Sequence, residues 1–370
     1  MVRGQRPVEG MVNSADAWKS RRVFLTGHTG FKGSWLALWL QQFGSEVLGY
    51  SLEPPSQPSL FEVAEVARGM QSMHGNICDL LALKSRMAGF QPEVVFHLAA
   101  QSLVHKSYEE PIETYATNVM GTVNVLEAVR STPSVRAVVV VTSDKCYENN
   151  ERVWGYRETD PMGGYDPYSN SKGCAELVAS AYRRSYFHPD AHAKHGVAVA
   201  SARAGNVIGG GDWARDRLIP DFVRSIEARR PLQIRRPGAV RPWQHVLDPL
   251  SGYLSLAERL LQPGGAGYAS GWNFGPDDDA AIPVSSVVDK FSDSWGGAPY
   301  EITGGEQPHE AQFLKLDCSK ARAQLQWSSR LDVDAAISWT ADWYKAKLKG
   351  SVDMRKLTVD QIKRFRDLPQ

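Results

Sequence analysis

The chain has 370 residues, of which 42% are hydrophobic and 22% are charged, and its formal net charge is +1. This nearly balanced charge gives no electrostatic reason to expect nucleic acid or a membrane surface as a partner. The length is that of an ordinary globular protein with two domains, or with one large domain and a smaller lobe.

The cysteines and the apolar runs indicate where the protein resides. The four cysteines are far apart and form no CxxC pair, which favours reduced thiols and a cytoplasmic protein over a disulfide framework. No stretch approaches the ~20 apolar residues that span a bilayer. Residues 1–20 also lack the apolar core of a signal peptide. We expect residues 1–19 to be a loose leader and residues 350–370 to be a loose tail.

Apolar runs and helical patterns alternate through the first half of the chain. Short apolar runs predict strands, and helical spacing predicts helices between them, at 31–44, 112–130 and 166–187. Strands that are apolar on both faces indicate a parallel sheet covered on both sides. The predicted fold is therefore α/β: a Rossmann-type doubly wound parallel sheet with a smaller, interleaved α/β substrate-binding lobe. The strands are predicted at 22–27, 46–50, 93–100, 136–143 and 196–205.

The weaker alternation after residue 205 suggests how the lobes divide. Turn-rich pieces appear there between amphipathic helices. We predict that residues 20–205 form a dinucleotide-binding domain, to which roughly 242–275 return. Residues 206–241 and 276–349 are predicted to form the second lobe.

A GxxGxxG turn follows the first predicted strand and opens the first predicted helix. Gly27 allows the tight turn, Gly30 lets backbone approach a pyrophosphate, and Gly33 lets helix and strand pack closely. An acid about 20 residues on is expected to bind the adenosine ribose, and Glu53 is the candidate. Residues 46–60 contain no arginine for a 2′-phosphate, so NAD is favoured over NADP. The alternatives are a close-packed turn without a ligand and a solvated Glu53.

A second small-residue approach to the cofactor is predicted in "HLAA", at the end of a later strand. His97 in this run is interpreted as a packed strand histidine.

A serine, a tyrosine and a lysine form the predicted proton-transfer unit. Tyr168 and Lys172 are four residues apart, on one helix face. Ser143 emerges from a buried strand 25 residues earlier. A nearby amine lowers a phenol's pKa, and a hydroxyl orients a substrate oxygen. The alternative is a helix with a surface ion pair and a strand-end serine.

An acid and an amine, Asp144 and Lys145, follow Ser143 directly. Neighbours on a regular strand point to opposite faces, so both can face one substrate only if the chain leaves strand geometry near Ser143. The alternative is a solvated turn pair.

These motifs together resemble the extended short-chain dehydrogenase/reductase family. The blocks "TGHTGFKGSWL", "TSDKCYEN" and "YDPYSNSKGCAELVAS" are similar to nucleotide-sugar 4,6-dehydratases, and the resemblance runs from about 22 to 320. Lysine at position 145 is typical of the branch that acts on CDP-glucose. The resemblance implies C4 oxidation by NAD, loss of water across C5 and C6, and hydride return to C6, with the product supplying deoxy sugars for surface polysaccharides such as lipopolysaccharide O-antigen. The alternatives are a nucleotide-sugar 4-epimerase or reductase, or a catalytically silent NAD-binding regulatory protein.

The resemblance also implies residue roles. Ser143, Asp144, Lys145, Tyr168 and Lys172 would be catalytic. Cofactor-binding residues, besides Tyr168 and Lys172, would be Gly27, His28, Gly30, Phe31, Lys32, Gly33, Glu53, Asp79, Leu98, Ala99 and Ala100. Substrate-binding residues would be Ser102, Asn206, Arg217, Leu218, Arg241, Asn273 and His309.

The resemblance implies a second copy of the chain as partner, in a homodimer or a dimer of dimers. Nucleic acid, membrane and metal are not expected. The one histidine cluster, His188, His192 and His195, is interpreted as a solvated loop, since Pro189 breaks the helix there and the implied mechanism needs no metal.

Overall fold

A computed structural model describes residues 15–303 and 313–369. Its strands are β1 (Arg22–Thr26), β2 (Glu46–Ser51), β3 (Gln71–His74), β4 (Val94–His97), β5 (Ala137–Val141), β6 (Ala198–Ala204), β7 (Val207–Ile208), β8 (Leu232–Ile234), β9 (Val240–Pro242), β10 (Gln244–His245), β11 (Gly271–Phe274), β12 (Ala281–Pro283) and β13 (Tyr300–Ile302).

The α-helices are α1 (Ala15–Trp18), α2 (Phe31–Gln42), α3 (Leu60–Val63), α4 (Leu80–Phe90), α5 (Val104–Glu109), α6 (Pro111–Tyr115), α7 (Gly121–Arg130), α8 (Pro167–Ser185), α9 (His192–His195), α10 (Leu218–Glu227), α11 (Leu247–Leu261), α12 (Val284–Trp295), α13 (Val333–Lys349) and α14 (Met354–Arg366). Short 3₁₀ turns lie at Asp144–Cys146, Pro189–Ala191, Gly265–Tyr268 and Asp278–Ala280, and π-helical turns lie at Ala116–Met120 and Ala321–Leu325.

Seven parallel strands form the main sheet, in the order β11-β6-β5-β4-β1-β2-β3. Six of them follow the Rossmann order, in which the chain starts at the centre and winds outward in both directions. The strand order reverses between β1 and β4, and ligands bind at the carboxyl ends of strands beside such a point. The predicted doubly wound parallel sheet is confirmed.

Both faces of the sheet are covered at its centre, which explains why the central strands are largely apolar. Alternate residues of one strand enter different cores: Val139 packs with α2 and α11, whereas Val138 packs with α4 and α7. Every residue of β5 is buried. A strand buried on both faces has no polar side, so it reads as a continuous apolar run.

Three two-stranded sheets lie outside the main sheet. They pair β7 with β10, β9 with β12, and β8 with β13. All three fall between residues 207 and 302, and β11 returns to the edge of the main sheet beside β6. The exact division into two lobes stays a prediction.

The chain ends differ from the expectation of loose termini. Residues 354–366 form α14, and Phe365 is fully buried with its ring 5.7 Å from that of Trp39 in α2. Trp18 is also fully buried, and its indole donates to Glu258. The prediction of a loose 350–370 is wrong, because α14 carries an apolar stripe that α2 covers. Residues 1–14 lie outside the described part of the chain.

The helix predicted at 112–130 is interrupted by a π-helical turn at 116–120. This turn directs Asn118 inward, where its side chain bonds with both main-chain groups of Gln101 and with the Ser171 hydroxyl, each at 2.9 Å. It thereby ties the loop after β4 to helix α8. In residues 15–303 and 313–369, none of the helices combines the length and apolarity needed to cross a bilayer.

Candidate active site

The glycine turn after β1 forms a cradle that side chains would fill. Gly27 has φ +79°, and a Cβ there would lie 2.6 Å from the Ala99 nitrogen; a Cβ on Gly33 would lie 2.0 Å from the Gly27 oxygen. Gly30 is the N-cap residue of helix α2 and has no side chain to cap it. The N–H groups of the first turn of the helix are therefore open to an anionic ligand. The turn fits a dinucleotide pyrophosphate.

The other residues predicted to bind the cofactor differ in their exposure and in their contacts. Glu53 lies just after β2, is exposed and pairs with His74 at 3.1 Å. Asp79 accepts from the Ala82 N–H and caps α4. The His28 side chain is fully buried behind the turn and contacts the Ser72 hydroxyl at 2.8 Å, so only its main chain faces the cradle.

The end of β4 closes the cradle from the other side. The Thr26 hydroxyl accepts from the Leu98 and Ala99 N–H groups, at 3.1 and 3.2 Å. Both ring nitrogens of His97 contact threonine hydroxyls inside the protein. The interpretation of His97 as a packed strand histidine is confirmed.

The chain leaves strand geometry where the sequence requires it to. Ser143 is extended, and Asp144–Cys146 form a 3₁₀ turn immediately after it. The Ser143 hydroxyl donates to Asp144 Oδ1 at 3.0 Å and accepts from the Lys145 N–H at 3.2 Å. The turn removes the strand's strict alternation of side-chain directions, so Asp144 and Lys145 are not forced to opposite faces.

Helix α8 brings Tyr168 and Lys172 to this turn. Asp166 caps the helix by accepting from the Ser169 N–H at 2.9 Å, and the Tyr168 hydroxyl lies near enough to the Ser143 hydroxyl for that group to lower its pKa. The Lys172 ammonium lies 3.5 Å from the Val141 oxygen at the end of β5. Serine, tyrosine and lysine are therefore brought together.

Burial dominates the pKa values of this group. It lowers the pKa of Lys172 to about 8, with opposition from Cys146 and Glu176. It raises the pKa of Tyr168 to about 12, although the Ser143 hydrogen bond and the Arg217 charge oppose it. The expectation of a lowered phenol pKa is therefore wrong for this structure.

Asp144 is almost completely buried, with 3% of its surface exposed. Burial raises its pKa, and the cations of Lys145, Lys32 and Arg241 act in the opposite direction. The end of β6 lies against the carboxyl group, because a Cβ on Gly205 would stand 2.8 Å from Asp144 Oδ2. Burial thus favours the protonated form of this carboxyl group more than in an exposed aspartate.

Several substrate candidates line the same edge of the sheet. The Arg217 guanidinium donates to Asp212 at 2.8 Å and lies 3.4 Å from the Ser102 hydroxyl. Arg217 precedes α10, which begins at the partly buried Leu218. Arg241 is 6% exposed, and its charge reaches Asp144. Asn206 lies two residues after the end of β6, and its main-chain oxygen accepts from the Gln244 N–H.

The structure does not place Asn273 in the substrate site. It is fully buried, its amide nitrogen donates to the Tyr156 and Asp317 oxygens, and its oxygen accepts from the Tyr147 hydroxyl. The prediction that it binds substrate is wrong, because its side chain is enclosed by protein groups. His309 lies outside the described residues.

The histidine cluster is held by the protein itself, with His195 Nε2 3.0 Å from the His188 oxygen. Within the described ranges there is no group of three His, Cys, Asp or Glu side chains arranged to hold a metal ion.

Sequence reasoning missed a buried polar network behind the site. It joins Glu176 of α8 and Arg203 of β6, at 2.7 Å, with Thr142 and Tyr147 on either side of the 3₁₀ turn. Two signals were available: Arg203 interrupts an apolar strand, and Glu176 continues the four-residue spacing from Lys172. Charged residues in such positions are buried only when they are paired.

Comparison with known proteins identifies the family. The family model described as GDP-mannose 4,6 dehydratase matches residues 24–265, more than half of the chain. The chain belongs to this family. A CDP-glucose 4,6-dehydratase of Salmonella typhimurium is 57% identical over 334 residues, covering 90% of this chain and 93% of the relative. A probable dTDP-glucose 4,6-dehydratase of Sinorhizobium fredii is 27% identical over 335 residues, covering 87% of this chain and 92% of the relative.

Solved structures of other proteins share the fold. A dTDP-glucose 4,6-dehydratase of Streptomyces venezuelae, solved with NAD, superposes with a TM-score of 0.76 at 24% identity, covering 90% of this chain and 99% of the other. A UDP-glucose 4-epimerase of Thermotoga maritima gives 0.75 at 20% identity, covering 88% and 99%. Dehydratase and epimerase fit equally well, so the fold does not distinguish the two activities.

Proposed function

We propose that the chain is an NAD-dependent CDP-glucose 4,6-dehydratase, a hydro-lyase that converts CDP-D-glucose to CDP-4-dehydro-6-deoxy-D-glucose and water. The observation that carries the proposal is the 3₁₀ turn with Asp144 and Lys145 beside Ser143 and Tyr168. Epimerisation or reduction at C4 needs neither an acid nor a base at these two positions, whereas loss of water needs both. The relative at 57% identity supports CDP-glucose as the substrate.

The proposed cofactor site is the glycine cradle with the open first turn of α2. Gly27, Gly30, Phe31, Lys32 and Gly33 would hold the pyrophosphate. The adenosine and nicotinamide ends would reach Glu53 and Asp79 in one direction and 98–100, Tyr168 and Lys172 in the other. When bound, NAD accepts a hydride from C4 of the sugar and returns it to C6.

The first proton transfer occurs at Tyr168. Its oxygen, as phenolate, takes the proton of the sugar 4-hydroxyl as C4 is oxidised to a ketone. Ser143 positions the same sugar oxygen, since its hydroxyl lies beside that of Tyr168. Because burial raises the pKa of Tyr168 to about 12, the phenolate depends on the cations around it, including Arg217.

The elimination occurs at Asp144 and Lys145. The new ketone acidifies the C5 hydrogen, and Lys145 is the base that takes that proton. Asp144 gives its proton to the 6-hydroxyl, which leaves as water. The raised pKa of the buried Asp144 supports the donor role. Lys145 then returns its proton to C5 as C6 is reduced, and a proton passes through solvent from Tyr168 to Asp144 to restore the starting state.

The nucleotide diphosphate is expected to bind along the edge formed by 102, 206, 217–218 and 241. Arg241 and Arg217 supply planar cations that suit phosphate oxygens. The short distance between Arg217 and Ser102 supports a shared contact to the sugar diphosphate.

The partner of the chain is proposed to be a second copy. Helices 111–130 and 167–185 pack side by side and expose Ile112 (85%), Met120 (52%) and Leu177 (59%), which suits a dimeric helix bundle. The free state of all four cysteines supports a reducing, cytoplasmic location. A deoxy-sugar precursor of surface polysaccharide such as O-antigen is the proposed fate of the product.

The test is incubation of the purified chain and NAD with CDP-, UDP-, dTDP- and GDP-glucose, followed by chromatographic separation of isomers and mass spectrometry. We expect loss of one water from the CDP sugar without added reductant, and no loss with Tyr168→Phe. An isomer of unchanged mass would favour the epimerase. No change with any sugar would favour a silent NAD-binding regulator.

A further inference from the structure

The Glu176–Arg203 pair is buried among groups that the mechanism does not use. Both side chains are about 95% buried, and Nη2 of Arg203 lies 2.7 Å from Oε2 of Glu176. Burial alone would raise the pKa of Glu176, but Arg203 and hydrogen bonds from Ser201 and Thr142 hold it below its usual range. The pair is therefore ionised, and a buried ion pair is weak evidence for stability. Its connections point to a different role.

The two ends of the acid–base turn are both tied to this pair. Thr142, directly before Ser143, donates to Glu176 Oε1 at 2.5 Å. Tyr147, directly after the turn, accepts from Arg203 Nη1 at 2.5 Å and donates to Asn273 at 2.7 Å. The residues between these anchors are Ser143, Asp144, Lys145 and Cys146.

The same pair is also tied to the helix that carries the hydride-transfer residues. Glu176 lies one turn beyond Lys172 on α8. Lys172 itself reaches the Val141 oxygen, and Glu176 accepts from the hydroxyl of the next residue, Thr142. One face of the helix therefore contacts the end of β5 at two positions. One short network therefore connects the groups that act at C4 with the groups that act at C5 and C6.

We propose that Glu176 and Arg203 are positioning residues that fix Asp144 and Lys145 relative to Tyr168 and Lys172. Oxidation needs only the α8 residues and Ser143 in place. Elimination also requires the turn to hold its acid and amine against the same sugar, and small misplacements of catalytic groups have large effects on rate. This inference rests on the proposed dehydratase function.

The test removes anchors and leaves the ion pair intact, because deleting one charge would leave the other buried and unpaired. Tyr147→Phe and Thr142→Val keep the shape of each side chain and remove one hydroxyl. The matched controls are Tyr182→Phe, whose hydroxyl bonds Glu127 at 2.9 Å, and Thr132→Val, whose hydroxyl bonds Ala128 at 2.8 Å. Among the described residues, no hydrogen bond joins either control hydroxyl to the network.

The readouts are water loss from CDP-glucose and the near-ultraviolet absorbance of reduced cofactor during turnover. We expect each anchor variant to lose water about tenfold more slowly, in line with removing a hydrogen bond to a charged group. The reduced fraction of cofactor should rise at the same time, because oxidation continues while elimination is delayed. The controls should match the wild type in both readouts.

A purely structural role predicts another pattern, in which both steps slow together and the reduced fraction does not rise. That result, or unchanged kinetics in both anchor variants, would overturn the positioning role while leaving an active wild type as a dehydratase. A wild type that removes no water would overturn the proposed function and this inference with it.

Discussion

Replacing Gly205 with alanine tests where Asp144 acts. The added Cβ would stand 2.8 Å from Asp144 Oδ2 and 3.4 Å from its Cγ. The oxygen contact is about 0.6 Å shorter than an ordinary van der Waals contact. The carboxyl group must therefore move, and its bond from Ser143 at 3.0 Å must lengthen or turn with it. Since a displacement of about 1 Å can cost about a hundredfold in rate, we expect kcat to fall about tenfold, which equals about 1.4 kcal/mol of activation free energy.

The assay is steady-state formation of the keto sugar from CDP-glucose, with thermal unfolding measured on the same preparation. Folding should lose only about 1 kcal/mol, because the group that yields is a side-chain end and not backbone. Gly267→Ala is the control, since nothing lies within 4 Å of a Cβ at that position. Wild-type kcat in Gly205→Ala would refute the placement of Asp144 as the acid. A loss confined to KM would show that the methyl group obstructs the substrate instead.

Three further changes test other parts of the structure. Lys145→Ala should keep NAD and substrate binding by calorimetry but lose most product formation, and near-wild-type turnover would contradict its role as the base. Burial raises the pKa of Asp248 from 3.8 to about 7, so the folded state holds a proton that the unfolded state releases, and stability should fall as pH rises through that interval. Asp248→Asn should remove this fall in the free energy of unfolding, which amounts to up to about 4 kcal/mol. The measurement is denaturant unfolding of both proteins at several pH values, and the same pH dependence in both would contradict the buried acid. Phe365→Ala should lower the free energy of unfolding by about 3–5 kcal/mol in the same assay. The control Leu81→Ala should change it little, because Leu81 is 80% exposed. Equal stabilities of the two variants would show that α14 is not part of the core.

The main sheet was predictable because its strands obey a simple physical rule. Strands buried on both faces are largely apolar, so β5 stands out as a continuous apolar run, and β4 and β6 as runs interrupted only by His97, Ser201 and Arg203. The glycine turn was predictable for a similar reason, since only glycine fits where Gly27 meets the Ala99 backbone. Helix α14 was not predictable, because its apolar stripe is short. The stripe is buried only by packing against α2, which lies more than 300 residues earlier in the chain.

The site was predictable where chemistry depends on local spacing. Tyr168 and Lys172 follow from one helical turn, and the adjacency of Asp144 and Lys145 requires the break in strand geometry that the structure contains. Asn273 was misassigned because its strand-end position looks the same whether its amide binds substrate or protein. Only the structure shows that Tyr147 and two main-chain oxygens occupy it. The pKa of Tyr168 also depends on burial, which spacing does not reveal.

The π-helical turn at 116–120 holds one residue more than an α-helical turn of the same rotation. Removing that residue would allow ordinary α-helical bonding through the segment, and Val125 and Val129 would keep their places in the core they share with α4. Asn118, however, would no longer be directed at Gln101 and Ser171. The extra residue therefore serves the link between the loop after β4 and helix α8, and not the packing of its own helix.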